Sequence, residues 1–273
     1  DMPHIRRALL EAWSRILMAR LYGYRAGDYF RQADAATDRR YLLFNPVQKA
    51  RAAYECERAV GLLHNVMAAR AYETETFAET AVRQIGSSVR LEGTAHVNMG
   101  QAVKFVNNYF NDNIDLADVP DGNMIKDDSK NMFVQGFGKV RNIKFADYRR
   151  AFQGCTLANV KIFLEQAQAF KVFSQKSPVS GGQAKNMDFM LNIAEIFAAI
   201  VYGQLVFEKA RIRGIEEPAV DQLFSYLVRD INSYVMRQLN EYAGHFEAGQ
   251  KENLLAIIKD PHIDFAREEQ ILE

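Results

Sequence analysis

Apolar residues recur at helical spacing along most of the chain, and the alternating runs that strands require are scarce. Over residues 5–31 they fall at Leu9, Trp13, Ile16, Leu17, Leu21 and Tyr24, a stripe along one side of a helix. Arg6, Arg7, Arg15, Arg20 and Arg25 share that helix and are expected on its surface. The first four form either a solvated face or an arginine set at a subunit interface near cofactor phosphates. Only six prolines punctuate the chain. A sequence of this kind can bury its apolar stripes only by packing helix on helix, so the expected class is all-α.

The next helix is expected from Pro46, which suits a first helical turn, to about Arg70. A shorter one covers residues 74–85, with Thr74 as its cap and Phe77 and Val82 on its buried side. Residues 95–110 form an amphipathic helix. Residues 111–143 are rich in Asn, Asp and Gly, contain Pro120 and keep no period, so they are expected to link a first helical region (1–110) to a second (144–273). Gly136-Phe137-Gly138 lies in this loop without the strand and third glycine of a dinucleotide fingerprint. In the second region long helices are expected at about 145–174, 184–213 and 217–243, with shorter ones to the end. Residues 177–182 link the first two, Gly214 caps the second, and Pro218 sits in the first turn of the third.

With 273 residues, 48% of them hydrophobic, the chain suits one large domain or two smaller ones. Lys plus Arg and Asp plus Glu both number 34, and this balance points neither to nucleic acid nor to an acidic membrane surface. Two separated cysteines, Cys56 and Cys155, indicate no disulfide framework and a reducing, cytoplasmic compartment. The most apolar stretch, 193–207, contains Glu195 and Gln204 and is too short to span a bilayer. No signal peptide is visible, and a chain beginning at Asp1 is expected to be a fragment, a processed chain or one half of a split protein. The five histidines are scattered, no Glu-x-x-His pair answers Glu241 and His245, and no metal site is expected. Cys56 has no organised partner for nucleophilic chemistry, and no phosphate loop is present.

Glu92-Gly93-Thr94 stands directly before the amphipathic helix at 95–110. A helix N-terminus has unpaired N–H groups and the positive dipole end, so a carboxylate, a reactive group or an anionic ligand is well held there. The longer pattern is Tyr72-Glu73-Thr74-Glu75, then Ala81-Val82-Arg83-Gln84, then Leu91-Glu92-Gly93-Thr94. It resembles the acyl-CoA dehydrogenase segment in which a Gly-Phe/Tyr-x-x-Glu stretch leads to an Arg-Asp pair and on to Glu-Gly-Thr. Residues 4–30 and 45–70 resemble the two long helices preceding that segment, so residues 5–110 resemble the later part of the family's C-terminal helical bundle. The residues after Phe110 resemble the extra helical domain of larger acyl-CoA dehydrogenases and acyl-CoA oxidases.

The resemblance implies an FAD-dependent α,β-desaturation of an acyl thioester, carried by CoA or by a carrier protein. Glu92 is then the base for the α-proton, and a desolvated carboxylate held close to a weakly acidic C–H suits that role. Gly93 lets the backbone pass close to the cofactor, Thr94 caps the helix and touches the cofactor, and Arg83 matches the family's motif arginine. The chain departs from the pattern at several points. Ala68-Ala69-Arg70-Ala71-Tyr72 stands where the family has Gly-Gly before the aromatic, Gln84 replaces the Asp, and His96-Val97-Asn98 replaces the usual continuation. The N-terminal helical domain and middle β-barrel of the family are absent. The implied assembly is therefore a C-terminal half working with a second chain that carries those domains, or a homo-oligomer. Two rivals are an acyl-CoA oxidase-type flavoenzyme and a non-catalytic helical scaffold of the same fold.

Overall fold

Among the described residues all regular structure is helical, apart from isolated bridges pairing Asp34 with Asp38 and Asn113 with Phe145. The computed structural model describes residues 2–34, 37–91, 93–122 and 140–272. Glu92 and Gly136-Phe137-Gly138 lie outside them.

Helix α1 (Pro3–Arg31) opens with a proline in its first turn, where no amide partner is needed. Its apolar stripe divides. Leu21 is buried, whereas Leu9, Trp13, Ile16 and Tyr24 remain exposed. The buried face runs through Leu10, Met18, Tyr22, Ala26 and Tyr29, and it includes Arg15 and Arg25. These two arginines are not on the surface as expected, because carboxylates on other helices meet them inside the fold.

Pro46 lies within α2 (Tyr41–Val47) rather than at a helix start. It has no N–H to donate, and its ring crowds the carbonyl four residues back. A wider π turn, Gln48–Ala52, follows directly and leads into α3 (Ala53–Met67). Helix α3 ends on Ala68, whose φ of +51° makes it the one non-glycine residue of positive φ among the described residues. A 3-10 turn, Ala68–Tyr72, precedes α4 (Phe77–Arg90). This helix starts later than expected, and the residue at its cap position is Thr76. Thr76 Oγ1 donates to the Glu73 carbonyl at 2.9 Å, so it does not cap. Phe77 is 76% exposed and Val82 42%, which reverses their expected burial. Val89 is the buried contact instead, because α4 packs chiefly on α3 and no layer among the described residues covers its far side. The single helix expected at 95–110 is broken into α5 (Ala95–Ala102) and α6 (Val106–Asn111) by a 3-10 turn, Val103–Phe105.

After α6, residues 112–121 carry no helix, and the chain is described again from a 3-10 turn, Val140–Asn142. Asn108 Nδ2 holds its return by donating to the carbonyls of Val140 (2.8 Å) and Ile143 (2.9 Å). Residues 145–157 are not helical as expected. The Asp147 carboxylate accepts from the Arg149 amide at 3.0 Å and nucleates a 3-10 turn, Tyr148–Phe152, after which Gly154 adopts φ +76°. Helix α7 (Ala158–Lys176) starts only beyond that.

Helix α8 (Met187–Arg213) is capped by Asn186, whose side chain accepts from the Phe189 amide at 3.1 Å. It closes on Gly214 at φ +61°, and Pro218 occupies the first turn of α9 (Glu217–Glu241), both as expected. Short helices α10 (Gln250–Leu255) and α11 (Phe265–Leu272) complete the chain. By length and composition α8 could cross a membrane, which the shorter stretch 193–207 did not suggest. However, 83% of its most apolar window is buried in the protein, as in a core helix. It packs against α1, α5 and α9, and one apolar core extends from Met18 to Ile257, shared by both helical regions. At Gly203 a Cβ would stand 2.3 Å from Phe163 Cζ, so the absent side chain is what lets α7 seat its ring on α8.

Two ionic clusters tie the layers together. In the first, Asp230 of α9 accepts from Arg15 (3.1 and 3.2 Å), Arg51 (2.7 Å) and Arg58 (3.1 Å). Glu55 pairs with Arg15 and, at 2.9 Å, with Arg51. Burial opposes ionisation of Asp230, but Arg51 and Arg15 outweigh it and hold the carboxyl at about 2. In the second, Asp221 accepts from the Asn159 amide at 2.7 Å and pairs with Arg267, anchoring α11.

Candidate functional site

The segment singled out in the sequence is the junction between α4 and α5. Glu92 itself lies outside the described residues. Its neighbours define the backbone on either side. Leu91 leaves α4 in an extended conformation and is 60% exposed. Gly93 has φ +100°, a conformation that strains any L side chain, and a Cβ there would also meet Asn98 Nδ2 at 3.3 Å. Thr94 occupies the cap position of α5, but its hydroxyl makes no capping bond. Asn98 Nδ2 donates back to the Thr94 carbonyl at 3.0 Å, which steadies the turn. The exposed Thr94 hydroxyl and the first amides of α5 thus remain open to a ligand.

Arg83 does not join them among the described contacts. It is 79% exposed and pairs with Glu79 one turn earlier on its own helix, at 2.5 Å. The turn Ala68–Tyr72 carries a Cβ at Ala68, although its φ of +51° is one that glycine adopts most easily. Gly93 and Thr94 offer close backbone and open donors at the start of α5, whereas the Ala68 turn stands at the opposite end of α4.

The structure also assembles a cavity with no expected role. A half-open cleft of about 370 Å3 lies between α1, α2, α8 and residues 118–119 and 145–153. Its floor is a chain of hydrogen bonds. Tyr109 OH donates to Gln204 Oε1 (2.5 Å), and Gln204 Nε2 donates to Glu208 (2.7 Å). Glu208 also accepts from Arg25 Nε (2.7 Å) and Tyr29 OH (3.0 Å). Burial, followed by the Glu208 charge, pushes the Tyr29 phenol far above its ordinary range, so it remains a donor. The mouth carries Asp118, Arg150 and Arg211. The sequence held a signal for this place: Gln204 and Glu208 are four apart, one helical turn, at the end of an otherwise apolar run. Their partners on α1 are far away in the chain, so the signal had no visible answer.

Among the described residues no group of three or more His, Cys, Asp and Glu side chains is placed to hold a metal ion. Comparison with protein-family models, with curated proteins and with solved structures finds no match.

Proposed function

We propose that this chain is the C-terminal helical half of an FAD-dependent acyl-CoA or acyl-carrier-protein dehydrogenase, working with a second chain or a second copy. The observation that carries the reading is a pair of backbone conformations. Ala68 and Gly93 both adopt positive φ; Gly93 belongs to the Glu-Gly-Thr stretch, and Ala68 opens the stretch Ala68–Tyr72 that stands against the resembling family's Gly-Gly and aromatic. A non-glycine residue is held in such a conformation only when its surroundings impose it, at an expected cost of about 1–3 kcal/mol. The helical class and the exposed apolar side chains of α1 and α4 further support a part that completes its surface with a partner.

In this reading Glu92 takes the α-proton of the acyl thioester. Gly93 lets the chain turn without a side chain between the base and the substrate. The N-terminal amides of α5 and the Thr94 hydroxyl orient the polar atoms of the bound group, and the dipole of α5 favours the ionised base. FAD, when bound, supplies the hydride acceptor for the β-carbon. A scaffold that keeps the fold without the chemistry is the second reading, favoured by the Ala68 Cβ and by the Arg83–Glu79 pair.

The deciding experiment is native mass spectrometry with a visible spectrum on the protein isolated from its source, followed by Glu92→Gln. A second polypeptide with bound FAD, and loss of substrate-driven flavin reduction in the variant at unchanged flavin content, are expected. A colourless chain without a partner establishes the scaffold instead.

A further inference from the structure

We propose that the cavity between α1, α8 and residues 145–153 binds a small organic monocarboxylate. The apolar body of the ligand rests on Phe44, Tyr109 and Phe145, and its carboxylate meets Arg211 at the mouth. The inference stands on the charges of the lining and is independent of the acyl-thioester reading.

Each lining cation has a distinct fate. Arg25 is committed to the partly buried Glu208, and Arg40 to Asp38 at 2.6 Å. Arg150 reaches Asp115 at 2.6 Å and Asp118 at 3.5 Å, but these carboxylates are 94% and 93% exposed. Pairs so open to water are weak, and an incoming anion displaces them at little cost. Arg211 is the lining cation with no carboxylate partner among the described residues. It donates only to the carbonyls of Ala151 (3.1 Å) and Gln153 (3.3 Å). A guanidinium has five N–H donors in a planar fork, so capacity remains for a carboxylate. The floor carries the edges of buried aromatic rings beside a hydrogen-bond chain already satisfied within itself, so a flat ring rests there without breaking a bond, while the polar lining is left to the carboxylate. Asp118 shares the mouth, and with Asp147 already paired to Arg149 it is the Asp118 charge that disfavours a dianion such as a phosphate monoester relative to a monoanion.

The test uses the full chain and three probes of similar size: benzoate, benzamide and phenyl phosphate, titrated by calorimetry and by aromatic proton shifts in NMR. Benzoate is expected to saturate, with benzamide about tenfold weaker or worse, as loss of a charge-assisted bond implies. Phenyl phosphate is expected to bind more weakly than benzoate. Arg211→Gln lowers benzoate affinity about tenfold and leaves benzamide unchanged. Equal binding of benzamide and benzoate, tighter binding of phenyl phosphate, an unaltered benzoate affinity in R211Q, or no saturation at millimolar concentration each overturns the proposal. The probe comparison on the unaltered chain decides the matter even where R211Q does not fold.

Discussion

Helices α7, α8 and α9 and helices α3, α4 and α5 are drawn from the same kind of amphipathic sequence, yet they end in different states. In the first group apolar faces close on one another: Phe163, Phe170, Phe197, Ile200 and Phe224 are fully buried, and even the glycine at 203 is occupied by a neighbour's ring. In the second, Tyr72, Phe77, Val82, Leu91 and Val97 stay exposed, and the connecting turns carry the positive φ values of Ala68 and Gly93. Burial is thus completed on one side of α1 and left open on the other. The contrast teaches that a stripe of apolar residues declares what a helix is able to bury, and that the rest of the assembly decides whether it does so.

The severest challenge to this contrast is Asp230, the one carboxylate shared by α1, α3 and α9. Asp230→Ala leaves Glu55 and Glu11 alone to balance Arg15, Arg51 and Arg58 and is expected to cost about 3–5 kcal/mol in chemical denaturation. The same residue predicts a pH effect. Its folded carboxyl, at about 2, lies below the unfolded value of about 3.9, so its contribution is complete above that value and lost as the pH falls from there to about 2. Acid unfolding should flatten over that window in the variant. A loss that persists to neutral pH only in the variant agrees with this; identical acid limbs contradict it.

Glycines in the two groups should respond with opposite sign. Gly203→Ala forces the Phe163 ring off α8 and is expected to destabilise by about 1–3 kcal/mol. Gly61→Ala on α3 meets nothing within 4 Å, so helix propensity alone acts and should stabilise by up to about 1 kcal/mol. Thermal melts of the two variants check the pair, and a shared sign would abolish the distinction between filled layer and open edge. Ala68→Gly relieves a positive φ and is expected to raise stability by about 1 kcal/mol. The smallest effect belongs to Phe77→Ser, within about 0.5 kcal/mol on the isolated chain because the ring is exposed. A larger loss there would mean that the edge is covered in solution.

How much of this was legible varied with the range of the interaction. The helical class, Gly214 as a C-cap and Pro218 in a first turn depend on local backbone chemistry, and the sequence carried them. Arg15 and Arg25 were assigned to the surface because a charge looks solvated until its partners are seen, and those partners are Glu55 and Asp230, and Glu208. Phe77 and Val82 failed for the converse reason: their helix has the right period and no covering layer. Residues 145–157 have an apolar pattern compatible with helix, but Asp147 turns the chain locally and Gly154 completes the turn. At the candidate site, Gly93 and Thr94 sit together before α5, whereas Arg83 points to its own helix.

The π turn at Gln48–Ala52 carries a consequence for chain length. One residue more or less in a helix turns everything beyond it by about 100°. Glu55 lies just past that turn and must face Arg15 across the interface. Deleting a single residue between 48 and 52 would restore a regular α-helix while rotating Glu55 off its partner, and insertion would rotate it the other way. The turn therefore acts as a phase setting for α3, and the interior ion cluster makes the number of residues there as constrained as their identity.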